Sequence, residues 1–168
     1  SKDHTELAPY IKYLENNLRE VVEAEAKERG AHLAGRTLVV IVADEEIGSP
    51  LTRTPRAAII LNLPSLDKFE PLVQPGGVIV VNSSLVNREV TRTDIKAFMI
   101  PAQEIAEELG NRRLLNMVML GALLEALPLL PEGAIEQALQ DHLPERHRKF
   151  LKGNVEALKR GAAYVRGK

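Results

Sequence analysis

A chain of 168 residues, 45% apolar and 27% charged with a net charge of −1, has the composition of one ordinary globular domain. It contains no cysteine, which excludes disulfides, thiolate zinc sites, cysteine nucleophiles and cysteine-ligated iron–sulfur clusters. No apolar run approaches the roughly 20 residues of a membrane span, and SKDHTELAPY lacks the apolar segment of a signal peptide, so a cytoplasmic protein without membrane contact is expected.

In chain order, residues 6–29 read as a helix. Leu7, Ile11, Leu14, Leu18 and Val21 alternate spacings of four and three, one apolar stripe among acids. The repeat is too short for a coiled coil. Gly30 is a natural stop. The stripe needs a cover, on this domain or on another chain, which leaves a homo-oligomer open. Thr37 to Ala43 (TLVVIVA), Ala57 to Leu61 and Val78 to Val81 are apolar runs without alternation, the pattern of strands buried on both faces in a parallel sheet. Between the last two, Ser65 to Phe69 reads as a short helix with Ser65 as N-cap after Pro64. Pro75-Gly76-Gly77 is turn chemistry, and Ile95 to Ile100 reads as a fourth strand.

From Pro101 onward the pattern is helical. Ile105, Ala106 and Leu109 form an apolar side, and Gly110-Asn111 stops that helix. Leu114 to Leu127 is apolar nearly all round, as a buried helix is. Gly121 within it costs about 1 kcal/mol against Ala, which points to a close helix contact. Pro131-Glu132 opens the next helix, to about Asp141. Pro144 opens the last, to about Tyr164, with Phe150, Val155 and Leu158 inward. One domain over 1–168 is expected: an N-terminal helix (1–30), a β-rich half (36–100) and a helical part (101–165).

The usual catalytic signatures are missing. There is no G-x-G-x-x-G and no Walker A. Gly48-Ser49-Pro50 is a Ser-Pro turn and not a nucleophile elbow. Asp44-Glu45-Glu46 reads as a solvated turn of acids. His142 and His147 are five apart across Pro144 and lack the i, i+4 spacing of a helical zinc site, so no metal is expected. Residues 143–168 hold eight Lys or Arg against Glu145 and Glu156. That excess suits either a solvated helix face or an anionic partner. Only Phe150 and Tyr164 are aromatic there, too few for a stacking platform, so nucleic acid is not expected. Asn62, with Ser65 just beyond it, and Asn82-Ser83-Ser84 follow apolar strands. If those strands are parallel, these groups gather on the edge where α/β sheets hold ligands; local turn capping is the other reading. They suit binding of a ligand or partner better than bond-breaking.

Asp44-Glu45-Glu46-Ile47-Gly48-Ser49-Pro50, Leu61-Asn62-Leu63-Pro64-Ser65-Leu66-Asp67-Lys68-Phe69, Gly76-Gly77-Val78-Ile79-Val80-Val81-Asn82-Ser83-Ser84, Ile100-Pro101-Ala102, Ala106-Glu107-Glu108-Leu109-Gly110-Asn111 and Asn116-Met117-Val118-Met119-Leu120-Gly121-Ala122 occur in this order. Together they resemble the gamma subunit, or gamma domain, of 2-oxoacid:ferredoxin oxidoreductases over about residues 36–165. The resemblance implies an α/β fold, a three-layer Rossmann-like, mostly parallel sheet flanked by helices with a helical C-terminal third. It implies a non-catalytic part of an enzyme that uses thiamine diphosphate to decarboxylate a 2-oxoacid oxidatively. The acyl group passes to coenzyme A, and electrons pass through iron–sulfur clusters to ferredoxin. Those cofactors are expected on partner chains, the alpha, beta and ferredoxin-like subunits, and this chain is not expected to be active alone. The family's opening strand with its G-x-G-G-Q-G turn, and its S-Y-G-x-x-x-R-G-G loop, are absent from residues 1–35, where the acidic helix stands instead. The alternative is a stand-alone binding or oligomerisation module that kept the fold and lost the role.

Overall fold

The computed structural model describes residues 54–167, apart from 132 and 144. The readings for residues 6–29 and 37–43, for Asp44-Glu45-Glu46, Gly48-Ser49-Pro50, His4 and His32 lie outside the described residues. Three strands form one sheet in chain order: β1 (Ala57–Ile60), β2 (Val78–Asn82) and β3 (Lys96–Ile100). Both pairings are parallel, with Ala57 opposite Val78, Val78 opposite Lys96 and Asn82 opposite Ile100. Parallel neighbours need a crossover connection. Helix α1 (Leu63–Phe69) and a 3-10 turn (Glu70–Leu72) supply the first. The second, residues 83–95, contains no helix.

Every residue of β2 is buried, as its unbroken VIVV run predicts for a central strand. Its side chains alternate between two apolar layers. Val78 and Val80 face a cluster with Ile100, Ala102, Ile105, Leu114, Val118, Met119 and Ala157. Ile79 and Val81 face a second with Ile60, Leu66, Val73, Val86 and Ile95. The sheet is thus the middle of three layers. Each fully buried Val, Leu or Ile contributes about 1.5–3 kcal/mol by leaving water, so the two clusters dominate the stability of this part.

The helical part comprises α2 (Ala102–Glu108), a 3-10 turn (Arg112–Leu114), α3 (Leu115–Ala126), α4 (Ala134–His142), a 3-10 segment (Glu145–Phe150) and α5 (Leu151–Arg166). Gly110, at φ +76°, closes α2 as expected. Its N–H donates to the Glu107 carbonyl (2.8 Å) and that of Asn111 to the Ala106 carbonyl (3.1 Å), the paired bonds of a Schellman ending. No helix among the described residues is long and apolar enough to cross a membrane.

Gly121 has the reason its sequence position suggests. A Cβ there would lie 2.0 Å from the Leu158 carbonyl oxygen, and one at Gly161 would lie 1.9 Å from that of Val118. Helices α3 and α5 therefore touch backbone to backbone, with buried Ala122 and Ala157 also among the contact's small residues. The two helices run in the same direction. Leu114 lies beside Gly153 at one end, and Glu125 bonds Arg166 (3.0 Å) at the other.

Several boundaries differ from the sequence reading. The N-cap of α1 is Asn62, not Ser65, because the Asn62 Oδ1 accepts from the Ser65 N–H at 2.9 Å and Pro64 then sits inside the first turn. Pro101 is the cap of α2 and not its first residue. The helix after Pro131 starts only at Ala134, behind Gly133 at φ +79°. Phe150 is not inward: it ends the 3-10 segment and is 43% exposed, while Ala157, Leu158, Gly161 and Val165 form the buried face of α5.

Gly121→Ala and Gly161→Ala are each expected to cost about 3 kcal/mol, because a methyl must occupy the place of a carbonyl. Gly153→Ala, whose Cβ would meet only the Leu114 Cδ1 and Cδ2 at 3.6 and 3.8 Å, is expected to stabilise the protein by up to about 1 kcal/mol through helix propensity. Urea unfolding of the three variants checks both signs.

Candidate functional site: the carboxyl edge of the sheet

Since the strands are parallel, Asn62, Asn82-Ser83-Ser84 and Pro101 to Glu104 all follow strand ends on one edge of the sheet. Asn62 and Ser65 are bonded to each other through the α1 cap. Asn82 is fully buried, its Oδ1 accepting from the Ser84 N–H (3.2 Å) and its carbonyl from Leu85 (3.2 Å) and Val86 (3.0 Å). Its Nδ2 is buried and has no hydrogen-bond partner. Ser83 donates its N–H to the Ile100 carbonyl (2.9 Å), continuing the β2–β3 ladder beyond β2. No hydrogen bond among the described residues joins the Asn62–Ser65 pair to the Asn82–Ser84 turn.

Ser84 has a further task. The N-cap position of α2 is Pro101, which has no side chain able to cap the helix. The Ser84 hydroxyl takes that place from the neighbouring loop: its Oγ accepts from the Gln103 N–H at 3.1 Å and donates to the Glu104 carboxylate. That hydrogen bond, with one from its own backbone, holds the Glu104 carboxyl below its ordinary range. Besides the buried Asn82 Nδ2, three polar groups on this edge carry no hydrogen bond among the described residues: the Asn62 Nδ2, the Ser65 hydroxyl and the Ser83 hydroxyl. All three residues are half-buried, so they can still receive a ligand or a partner.

A second polar constellation was not read from the sequence. Glu70, only 3% exposed, accepts from the Thr91 N–H (2.6 Å), the Thr91 hydroxyl (2.7 Å), the Arg92 N–H (3.1 Å) and the Arg88 guanidinium (2.8 Å). Arg88 reaches on to Asp67 (2.7 Å). Arg92 donates to the Glu70 carbonyl (3.0 Å) and binds Asp94 (2.5 Å). These bonds hold the helix-free connection 83–95 against the 3-10 turn, where a packed helix would otherwise do so. Burial alone pushes the Glu70 carboxyl upward. The hydrogen bonds from Thr91, Arg88 and Arg92 outweigh it and set it at about 2, against an ordinary 4.5. The only signal in the sequence was the density of Arg, Thr and Asp in Arg88 to Asp94, which reads equally well as a solvated loop.

Among the described residues, no group of three or more His, Asp or Glu converges as metal ligands do. His147 packs its ring against the edge of Phe150. At the carboxyl edge and in the Glu70 cluster alike a hydroxyl meets a carboxylate, Ser84 on Glu104 and Thr91 on Glu70.

The sequence family described as pyruvate ferredoxin/flavodoxin oxidoreductase matches residues 14–164. The chain belongs to that family. A ketoisovalerate oxidoreductase subunit, VorA, from Methanothermobacter thermautotrophicus is 33% identical over 128 residues, which are 76% of this chain and 26% of VorA. A 2-oxoglutarate synthase subunit, KorC, from Methanocaldococcus jannaschii is 28% identical over 129 residues, 76% of this chain and 69% of KorC. The chain thus spans about a quarter of VorA and two thirds of KorC. Two solved structures share its fold. One is the gamma subunit of a keto/oxoacid ferredoxin oxidoreductase from Geobacter sulfurreducens, with a TM-score of 0.60 and 23% identity over 67% of this chain and 65% of that one. The other is a 2-oxoglutarate:ferredoxin oxidoreductase from Magnetococcus marinus with 2-oxoglutarate, coenzyme A and succinyl-CoA bound, with a TM-score of 0.63 and 23% identity over 75% of this chain and 22% of that one. The gamma-type resemblance and the α/β fold class expected from the sequence both hold.

Glu70→Gln is expected to cost on the order of 3 kcal/mol, since it removes a buried charge that four donors face. A carboxyl lowered on folding contributes stability that is whole above its unfolded value and lost as pH falls through its folded value. The wild type should therefore lose stability between about pH 5 and pH 2, and Glu70→Gln should lose distinctly less over that window. Thermal melts across pH check this.

Proposed function

We propose that the chain is the gamma-type, non-catalytic part of a thiamine diphosphate-dependent 2-oxoacid:ferredoxin oxidoreductase that works in the cytoplasm. Its partners in this reading are the alpha, beta and ferredoxin-like subunits. The observation that carries the proposal is the family match across residues 14–164. The chemistry of the chain supports the same division of labour. Iron–sulfur clusters are ligated by thiolates, and the chain has no cysteine, so the clusters belong on other chains. A diphosphate cofactor needs a glycine-rich cradle or a bound cation. The sequence has neither common phosphate loop, and no acidic or histidine trio converges among the described residues. In this reading thiamine diphosphate and coenzyme A also belong to the partners.

In this reading Asn62, Ser65, Asn82, Ser83 and Ser84 form the edge that meets a ligand or a partner subunit. The half-buried, unengaged groups on Asn62, Ser65 and Ser83 make that contact, and Asn82 and Ser84 shape the turn that presents them.

Purification of the tagged chain from its native host tests the proposal. It is expected to bring down a thiamine diphosphate-binding chain in stoichiometric amount, and the assembly should reduce ferredoxin with a 2-oxoacid and coenzyme A. A stable homo-oligomer free of other chains would instead establish the stand-alone module. Hydrogen exchange of the assembly is expected to slow at the amides of 62–66 and 82–85 relative to the isolated chain.

A further inference from the structure

The basic excess of the C-terminal region divides into two parts. Lys159 pairs with Glu136 (3.2 Å), Arg160 with Glu108 and Arg166 with Glu125 (3.0 Å), so the cations along α5 are neutralised by acids on other helices. The remaining cations of this region among the described residues collect at one end. Arg146, Arg148 and Lys149 occupy the 3-10 segment, all of whose residues are exposed, and Lys152 follows in the first turn of α5. Arg113 joins them from the 3-10 turn Arg112–Leu114, because Leu114 of that turn packs beside Gly153. None of these five forms an ion pair among the described residues. Glu145 is the one acid between 145 and 152.

Two further features make this more than a solvated face. The amino ends of α3 and α5 lie side by side here, and neither helix has an acid in its first turn. A helix amino end carries partial positive charge that acids stabilise and cations oppose. Five cations at this place cost folding free energy and add to one positive field. In their midst stands Phe150, 43% exposed, with the Lys149 ammonium 5.2 Å from its ring centre and His147 at its edge. An exposed aromatic with a Lys over its ring, in a segment that also holds two Arg, has the composition of a protein-interface anchor.

We propose that this end of the α3–α5 pair is a docking surface for an acidic protein, with Phe150 inserting into an apolar pocket and Arg113, Arg146, Arg148, Lys149 and Lys152 meeting carboxylates around it. A nucleic acid fits less well, since a single exposed ring offers no run of stacking positions. The proposal does not depend on membership of an oxidoreductase complex.

The test uses the full chain and a short labelled peptide of Asp and Glu with one central Leu, with single-stranded DNA and anionic phosphatidylserine vesicles as competing probes. The peptide is expected to bind, and to weaken at least roughly tenfold between about 0.1 M and about 1 M salt, as screened charges do. Arg146→Glu, Arg148→Glu and Lys149→Glu together should abolish binding, and Phe150→Ala should weaken it roughly tenfold. Lys159→Glu, at a paired cation, should leave it unchanged. Circular dichroism checks that each variant is folded. Failure of the peptide to bind, equal binding by the triple variant, or tighter binding of DNA or vesicles would overturn the proposal.

Discussion

The contact between α3 and α5 is set by two glycines. Gly121 lies against the Leu158 carbonyl and Gly161 against that of Val118, at distances where even a methyl has no room. Much else depends on this approach. It brings Ala157 and Val165 of α5 into the cluster that covers Val78 and Val80 of the central strand. It also fixes the amino ends of the two helices side by side. Larger residues would push α5 outward and open the apolar layer to water, so the small side chains are a geometric requirement of the three-layer arrangement.

On the other face of the sheet the problem is different. The connection from β2 to β3 has no helix to bury, and a loop of that kind needs polar anchors. Glu70 supplies one by gathering four donors from Arg88, Thr91 and Arg92. Ser84 supplies another by capping a helix whose N-cap residue is a proline. Both use polar groups for architecture, Ser84 beside the carboxyl edge and Glu70 in the crossover that returns the chain toward the amino ends of the strands. What the edge leaves available is a small set of neutral donors and acceptors. Such a set is suited to recognition.

Much of the fold was legible in sequence because its signals are local. The apolar run VIVV has no polar alternation, and only a doubly covered strand tolerates that. Gly110-Asn111 after Leu109 is a helix ending by conformational preference alone. Gly121 in an apolar helix announced a close neighbour without saying which. The candidate edge was legible to the same degree: Asn62 and Asn82 to Ser84 follow strands, and parallel strands bring such segments to one side. Sequence did not show which of these groups are engaged. The choice of Asn62 over Ser65 as cap depends on where the chain leaves β1. The burial of Glu70 depends on a loop that returns about twenty residues later.

The sequence by itself determined the parallel α/β class, the helical C-terminal part, the family and the lack of any thiolate. Each follows from residue type and short-range order. Tertiary structure alone decided that Glu70 is a buried anchor, that Ser84 caps α2, that Phe150 is exposed, and that five cations with no ion pair among the described residues share one end of two helices. Those facts arise from contacts between segments far apart in the chain, and long-range proximity leaves no periodic trace in the residues that make it.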